Sequence, residues 1–361
     1  MESTRVQIYA SRIPCLDGLR GIAAIATMTF HFNVFFLPQA KLAEIAPFVD
    51  REYLAVDLFF LLSGFVMAHV YGRLLASNWR AHWRKFARAR FARIYPLFAV
   101  TTLAMTLAVV LSHTPLILVS FSGRSLALQP LLLQQWASGL SWDYPSWSIS
   151  TEAEAYVFFV FSAGLLVTGK YPRLIAVCCI AVVAALSIAK GGSLNFFSGI
   201  SALLRTLAEF SLGVLLYRAH SHGVGLPHKW AAILSVAFVG LATITHLDFI
   251  FVGAFVCLIY YGANATDAFA SLLNSRPLVA LGNWSYSIYL WHAPTHYAVM
   301  AAFAAIGYPV RNLDLIGARL LLLATAFVVV GLSAVHYRYF ETPVRRIMVS
   351  SRSELGAFQF R

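Results

Sequence analysis

Apolar runs of about twenty residues follow one another along nearly the whole chain, and this repetition constrains the fold more than any single motif. A helix of about that length crosses a hydrocarbon core roughly 30 Å thick. Inside such a core every backbone N–H and C=O must be paired within the protein, which leaves only helices and closed barrels. The alternation of outer-membrane strands is absent here, so the expected fold is all-α, a polytopic integral membrane helical bundle. Charged residues make up 12% of the chain and hydrophobic ones 60%, against about 25% charged in soluble domains. About ten spanning helices are expected, at 17–37, 54–72, 94–112, 147–169, 173–190, 199–219, 230–246, 247–263, 283–306 and 315–337. The pair between 230 and 263 is separated only by THLD, and a single bent element there would reverse every later helix.

The net charge of +12 points to no nucleic-acid partner, because the charges lie in short loops on alternate sides. One set of loops holds Arg73, Arg80, Arg84, Lys85, Arg88, Arg90, Arg93, Lys170, Arg173, Arg218, Lys229, Arg276, Arg345 and Arg346. The other holds Lys41, Arg51, Arg124, Lys190 and Arg311. That asymmetry is the positive-inside pattern and predicts that both termini are cytoplasmic. The polar N-terminus, with Arg5, Arg12 and Pro14, lacks the pattern of a cleaved signal peptide. One membrane domain is expected over 10–347, followed by a cytoplasmic tail at 348–361. Between 113 and 146, LALQPLLLQQW is too short to span and reads as a re-entrant or interfacial piece. Of the four cysteines, Cys178, Cys179 and Cys257 fall in apolar runs and Cys15 stands at the start of the first helix. Neither a disulfide framework nor a metal site is expected, and Cys15 reads as a small hydrophobe rather than a reactive thiol.

Ionisable residues inside a bilayer are costly and face a cavity or a partner. In LDGLRGIAAIATMTFHF, Arg20 and His31 are eleven residues apart, close to three turns, so they share a helix face about 16 Å apart along the axis. Asp17 is placed to pair with Arg20. Asp57 opens the second helix, and PSWSISTEAEAY brings Trp147, Ser148 and Glu152 to the start of the fourth. Glu154 points away from Glu152, since residues two apart do not share a face. Arg205 and Glu209, four apart, can pair with each other, while His292 in SYSIYLWHAP sits near mid-depth. An outer polar chamber houses these groups most simply. On the basic side, WRAHWRKFARARFARIYP sets Arg90 and Arg93 on one face beside the membrane, a geometry suited to phosphates.

An inner anion site joined to an outer chamber suits an enzyme that takes an anionic donor from the cytoplasm and modifies an acceptor outside. Coenzyme A fits, its phosphates staying with the arginines while the pantetheine arm enters the membrane. A histidine base must be neutral, the form that desolvation favours.

LDGLRGIAAIATMTFH resembles the opening motif of the transmembrane acyltransferase 3 family, with an Arg and a His separated by ten residues. VDLFFLLSGFV, RFARIYP, PSWSISTE, LGNWSYSIYLWH and YRYFETPVRR follow in family order and cover essentially the whole chain. The resemblance implies O-acylation of a carbohydrate or glycolipid acceptor at the bacterial inner (plasma) membrane, with acetyl-CoA or another acyl-CoA as donor co-substrate. It implies a catalytic His31 supported by Glu152, and donor-binding roles for Arg20, Arg90 and Arg93. Asp57, Trp147, Ser148, Arg205 and His292 would line the substrate chamber. The chain is similar to standalone members that decorate exopolysaccharides, lipopolysaccharide precursors or small glycosides. Its fourth-helix motif reads WSISTEAEAY where WSLSVE is common, which keeps Glu152 and puts a role for Glu154 in doubt. In the scheme that follows, His31 deprotonates a sugar hydroxyl, the alkoxide attacks the thioester, and Arg205, Ser148 or Tyr156 steadies the oxyanion. Direct transfer and an acyl-histidine intermediate both fit. The alternative from another class is a proton-coupled transporter or flippase that uses the buried His and Glu residues as a relay.

Overall fold

The computed structural model describes residues 12–46, 48–112, 123–137 and 141–349. The N-terminal residues around Arg5, part of the 113–146 connection and nearly all of the 348–361 tail lie outside the described residues. Among those described, the structure is helical: α1 Pro14–His31, α2 Ala55–Met67, α3 Arg73–Ser112, α4 Gly123–Leu128, α5 Trp147–Ala163, α6 Pro172–Ala189, α7 Gly199–Ser221, α8 His228–Thr245, α9 Asp248–Asn264, α10 Ala268–Leu273, α11 Arg276–Ala305, α12 Leu315–His336 and α13 Thr342–Val349. Sequence punctuation sets several of their starts. Proline occupies the first turn of α1, α6 and α11, where its missing N–H costs no bond. Asp267 and Asp314 cap α10 and α12 through the N–H groups of Ala270 and Gly317.

Each of the ten expected spans lies on one of these helices. Seven helical stretches are long and apolar enough to cross a membrane, and one of them, Val49–Ala108, contains two of the expected spans. α9 is apolar but shorter, and α11 is long but carries buried polar residues that lower its apolar character. The basic stretch expected as a loop is instead the first part of α3, which starts at Arg73 rather than near 94. Its alanines, leucines and arginines are strong helix formers. Asn78 breaks the helix (φ −160°, ψ 85°) and accepts a bond from the Ala81 N–H at 3.2 Å, capping the piece that follows. The expected re-entrant segment is a set of short turns docked on α5, with Gln134 donating to the Ser146 carbonyl and Ser150 donating to that of Leu132.

α8 and α9 are two helices packed side by side, joined at His246, which adopts the left-handed conformation (φ 57°). The packing of α1 on α11 bears on the same question. Gly21 faces Gly282, and ten residues farther along each helix His31 meets His292. Matching steps in the same sense make α1 and α11 parallel, so an even number of crossings separates them. That is the outcome expected when 230–263 forms two helices rather than one.

Close helix approach depends on missing side chains, as is common where lipid supplies no hydrophobic drive between helices. A Cβ on Gly64 of α2 would stand 1.9 Å from the Phe210 carbonyl oxygen of α7, and one on Gly213 would stand 2.0 Å from that of Leu61. α6 and α8 lie at the periphery and expose Leu174, Val177, Ile233 and Val236, a surface suited to lipid. Cys15 is buried, its thiol directed at the Ala270 carbonyl, as a small core residue would be.

The same α2–α7 interface holds a buried ion pair. Arg205 donates to both carboxylate oxygens of Asp57, at 2.7 and 2.5 Å, with the two side chains 1% and 0% exposed. The Arg205–Glu209 ion pair expected from the spacing is also present, at 3.8 Å, while Asp57 takes the closer, bidentate position. Breaking one partner of a buried pair costs about 3–5 kcal/mol. Arg205→Ala is therefore expected to lower the thermal midpoint of the detergent-solubilised protein sharply, and the double variant Asp57→Leu/Arg205→Met to recover most of that loss.

Candidate functional site

His31 ends α1, and the chain continues as a wide π-turn over Phe32–Phe36 that turns Phe35 back toward it. The imidazole is 8% exposed, whereas His292 and His296 on α11 are fully buried. His31 Nδ1 lies 2.9 Å from His292 Nε2, and the two ring planes are inclined by 7°. Tyr144 meets His31 edge-on with ring centroids 4.9 Å apart, and Phe30 and Phe35 complete an aromatic wall.

Several buried polar atoms around this pair have no partner among the described residues, including the Tyr144 hydroxyl and His296 Nε2. Buried polar groups are normally satisfied, so orphans gathered beside this nearly buried imidazole are atoms that a bound polar ligand could satisfy. Asp143 is adjacent, just before the fourth span. Burial pushes its carboxyl up to about 8, with the Thr101 hydroxyl a smaller opposing influence. Ser148 bonds the Tyr289 hydroxyl at 2.7 Å and thereby closes the floor.

Below the histidines, Glu152 Oε1 accepts from Ser63 at 2.6 Å and from Tyr156 at 2.7 Å. The Arg90 guanidinium lies over the rings of Tyr156 and Tyr71, 6.0 and 5.4 Å from their centroids. Glu152 and Arg90 thus share Tyr156, which connects the start of α5 to the basic end of α3. Arg93 has a carboxylate partner: it donates to Glu341 at 2.7 Å, and Glu341 also accepts from Ser287. That explains the charge in FETP after α12. On α13, Arg345 stands within electrostatic reach of both Arg90 and Arg93, with Tyr71 and Tyr337 also close. α13 is held against α3 by Arg88, which donates to the Met348 carbonyl at 2.6 Å.

The remaining expected residues divide between two settings. Arg20 bonds Asp17 at 2.9 Å beside the α1–α11 contact, where Arg12 bridges Asp17 and Asn283. Asp57 and Arg205 form the buried pair already described, with the Trp147 ring 5.8 Å from the guanidinium. Glu154 faces away from Glu152 and accepts from Gln135 and Trp136, which fixes the docked turns. Asp143, Tyr144, Tyr289, His296 and Arg345 were not singled out by the sequence reading. The second histidine of WHAPTH, one turn after His292 on the same face, was the available signal for His296.

Comparison with known proteins identifies a family and relatives. The family model described as an acyltransferase domain matches residues 13–338. Acyltransferase MdmB of Streptomyces mycarofaciens is 30% identical over 313 residues, covering 78% of each chain. O-acetyltransferase OatA of Staphylococcus aureus is 22% identical across 94% of this chain, which spans 58% of OatA's length. Protein 2 in picA locus of Rhizobium radiobacter is 42% identical over 94 residues, 26% of this chain and 44% of that protein. No solved structure matches. With the family model covering α1 through the start of the turn after α12, the chain belongs to the acyltransferase 3 family and is a multi-pass membrane acyltransferase.

Proposed function

We propose that the protein transfers an acyl group, acetyl in the simplest case, from cytoplasmic acyl-CoA to a carbohydrate hydroxyl at the far face of the bacterial inner membrane. The observation that carries this reading is the presence of two unlike sites in one bundle, an arginine group and a buried histidine pair. One gathers Arg90, Arg93 and Arg345 with Glu341 as the carboxylate partner of Arg93. The other presents His31 to a set of buried polar atoms. Like charges held together in a folded protein are relieved by an anion, and arginine forks match phosphate oxygens. Arg93 divides its guanidinium between that role and Glu341. A pantetheine arm reaching from them would pass Tyr156 and Glu152 on its way to His31.

Around His31, the aromatic rings of Phe30, Phe35 and Tyr144 offer flat apolar surfaces, while unpaired polar atoms accept or donate to hydroxyls. A sugar presents both characters. His31 takes the proton of the attacking hydroxyl, and the resulting oxygen nucleophile forms the ester as the carbon–sulfur bond breaks. The thiolate leaves and is reprotonated. The similarity to OatA, named an O-acetyltransferase, supports an oxygen nucleophile and an acetyl donor.

Two measurements on membranes carrying the protein test this reading. His31→Ala is expected to reduce transfer of label from acetyl-CoA into alkali-labile ester by at least about a hundredfold; full activity in a folded variant sinks the scheme. Losing one charge-assisted contact of about 1.5–3 kcal/mol raises KM by roughly 10- to 100-fold. Arg345→Ala and Arg90→Ala should do so for acetyl-CoA, and the penalty should disappear with S-acetylpantetheine, which lacks the phosphates. An equal penalty on both donors would remove the arginines from phosphate binding.

A further inference from the structure

The hydrogen-bond inventory of the histidine pair determines where its protons lie. His292 Nδ1 is 3.3 Å from the Ile288 carbonyl oxygen, which can only accept. In that bond Nδ1 is the donor, so a neutral His292 carries its proton there and its Nε2 holds a lone pair. His31 Nδ1, 2.9 Å away, must then donate to that lone pair. A neutral His31 has one N–H, and Nδ1 has taken it, so its Nε2 is left as the free basic nitrogen.

The register of the two helices makes this arrangement hard to escape. Gly21 and Gly282 bring α1 and α11 so close that a Cβ on Gly21 would stand 2.7 Å from the Gly282 nitrogen. Each histidine lies ten residues beyond its glycine, about 15 Å along parallel axes. His292 is fully buried, with Phe32, Tyr144 and Tyr289 ring centroids 6.4, 5.9 and 6.0 Å away, so the lone pair on its Nε2 has no access to water.

We propose that His292 is the positioning residue for His31: through Ile288 it fixes the tautomer that leaves His31 Nε2 as the base and steadies the imidazolium formed in the reaction. This rests on the acyl-transfer reading above. When the acceptor hydroxyl gives its proton to His31 Nε2, that ring gains a positive charge while its Nδ1–H still points at His292. The neutral hydrogen bond becomes charge-assisted and stronger at the moment the alkoxide attacks the thioester carbon. As the C–S bond breaks, the departing thiolate takes the proton from Nε2 and the neutral pair is restored. His292 therefore does for His31 what a carboxylate does for the histidine of a serine hydrolase, with no net charge to desolvate.

Two readouts test the pair, one of them independent of turnover. In protein with 15N-labelled histidine in lipid bilayers, the His31 resonances, assigned by their loss in His31→Ala, should report a protonated Nδ1 and a bare Nε2. Protonation at Nε2 instead would overturn the proposal. In steady-state assays His292→Ala is expected to lower kcat about a hundredfold with the acetyl-CoA KM unchanged. His292→Gln, whose side-chain oxygen can occupy the accepting position of Nε2, should recover activity to within about tenfold of wild type. A fully active His292→Ala, or a folded His292→Gln as inactive as His292→Ala, would overturn it. Should His31→Ala itself stay active, the acyl-transfer reading falls, while the resonance measurement still judges the tautomer.

Discussion

The glycine contact between α1 and α11 is the constraint on which the rest of the site depends. A Cβ on Gly282 would stand 2.0 Å from the Asp17 carbonyl oxygen, so no other residue permits this separation of the axes. At that distance the parallel helices keep step, and equal spacing from the contact brings His31 and His292 together. The same contact orders its own end through Arg12, which bonds both Asp17 on α1 and Asn283 on α11. LDGLRG and LGN are therefore two halves of one joint, and the histidines that follow each motif are its products. Arg20, bonded to Asp17, belongs to this joint as part of the packing.

Elsewhere in the bundle several charges have an assigned partner. Arg205 has Asp57, Arg93 has Glu341, and Asp248 is held by Tyr53 and the Leu194 N–H. Against that background the departures stand out. Arg90 rests on tyrosine rings, and the Tyr144 hydroxyl and His296 Nε2 point at no described group. Because water cannot easily repair such gaps, each costs free energy unless a substrate fills it. Such gaps occur beside His31 and His292, and again at Glu209 in the α2–α7 interface, whose carboxylate accepts no hydrogen bond among the described residues.

How much of this was legible in the sequence follows from the kind of signal each element carries. Hydropathy located the spans because length and apolarity are local properties, and helical spacing put Arg20 and His31 on one face. Pairings across helices were not local. Arg205 pairs with Glu209 at the spacing the sequence shows, but its closer, bidentate partner Asp57 comes from α2 by tertiary packing. The basic stretch before Pro96 read as a loop because its charges hid a strong helix propensity, and Asn78 marked its start only once the capping bond was visible. His292 was recognised as deep and polar, but its partner depended on the register of two helices more than 250 residues apart in sequence.

That register also accounts for the choice of histidine over a carboxylate at position 292. A buried carboxylate opposite His31 would need compensation for its desolvation, and the partners available at that depth are aromatic rings and a helix carbonyl. A neutral imidazole needs none: it places one nitrogen on the carbonyl and offers the other to His31. The bilayer thus favours a base whose orienting partner is polarisable and uncharged, and whose charge appears only while the hydroxyl proton is in transit.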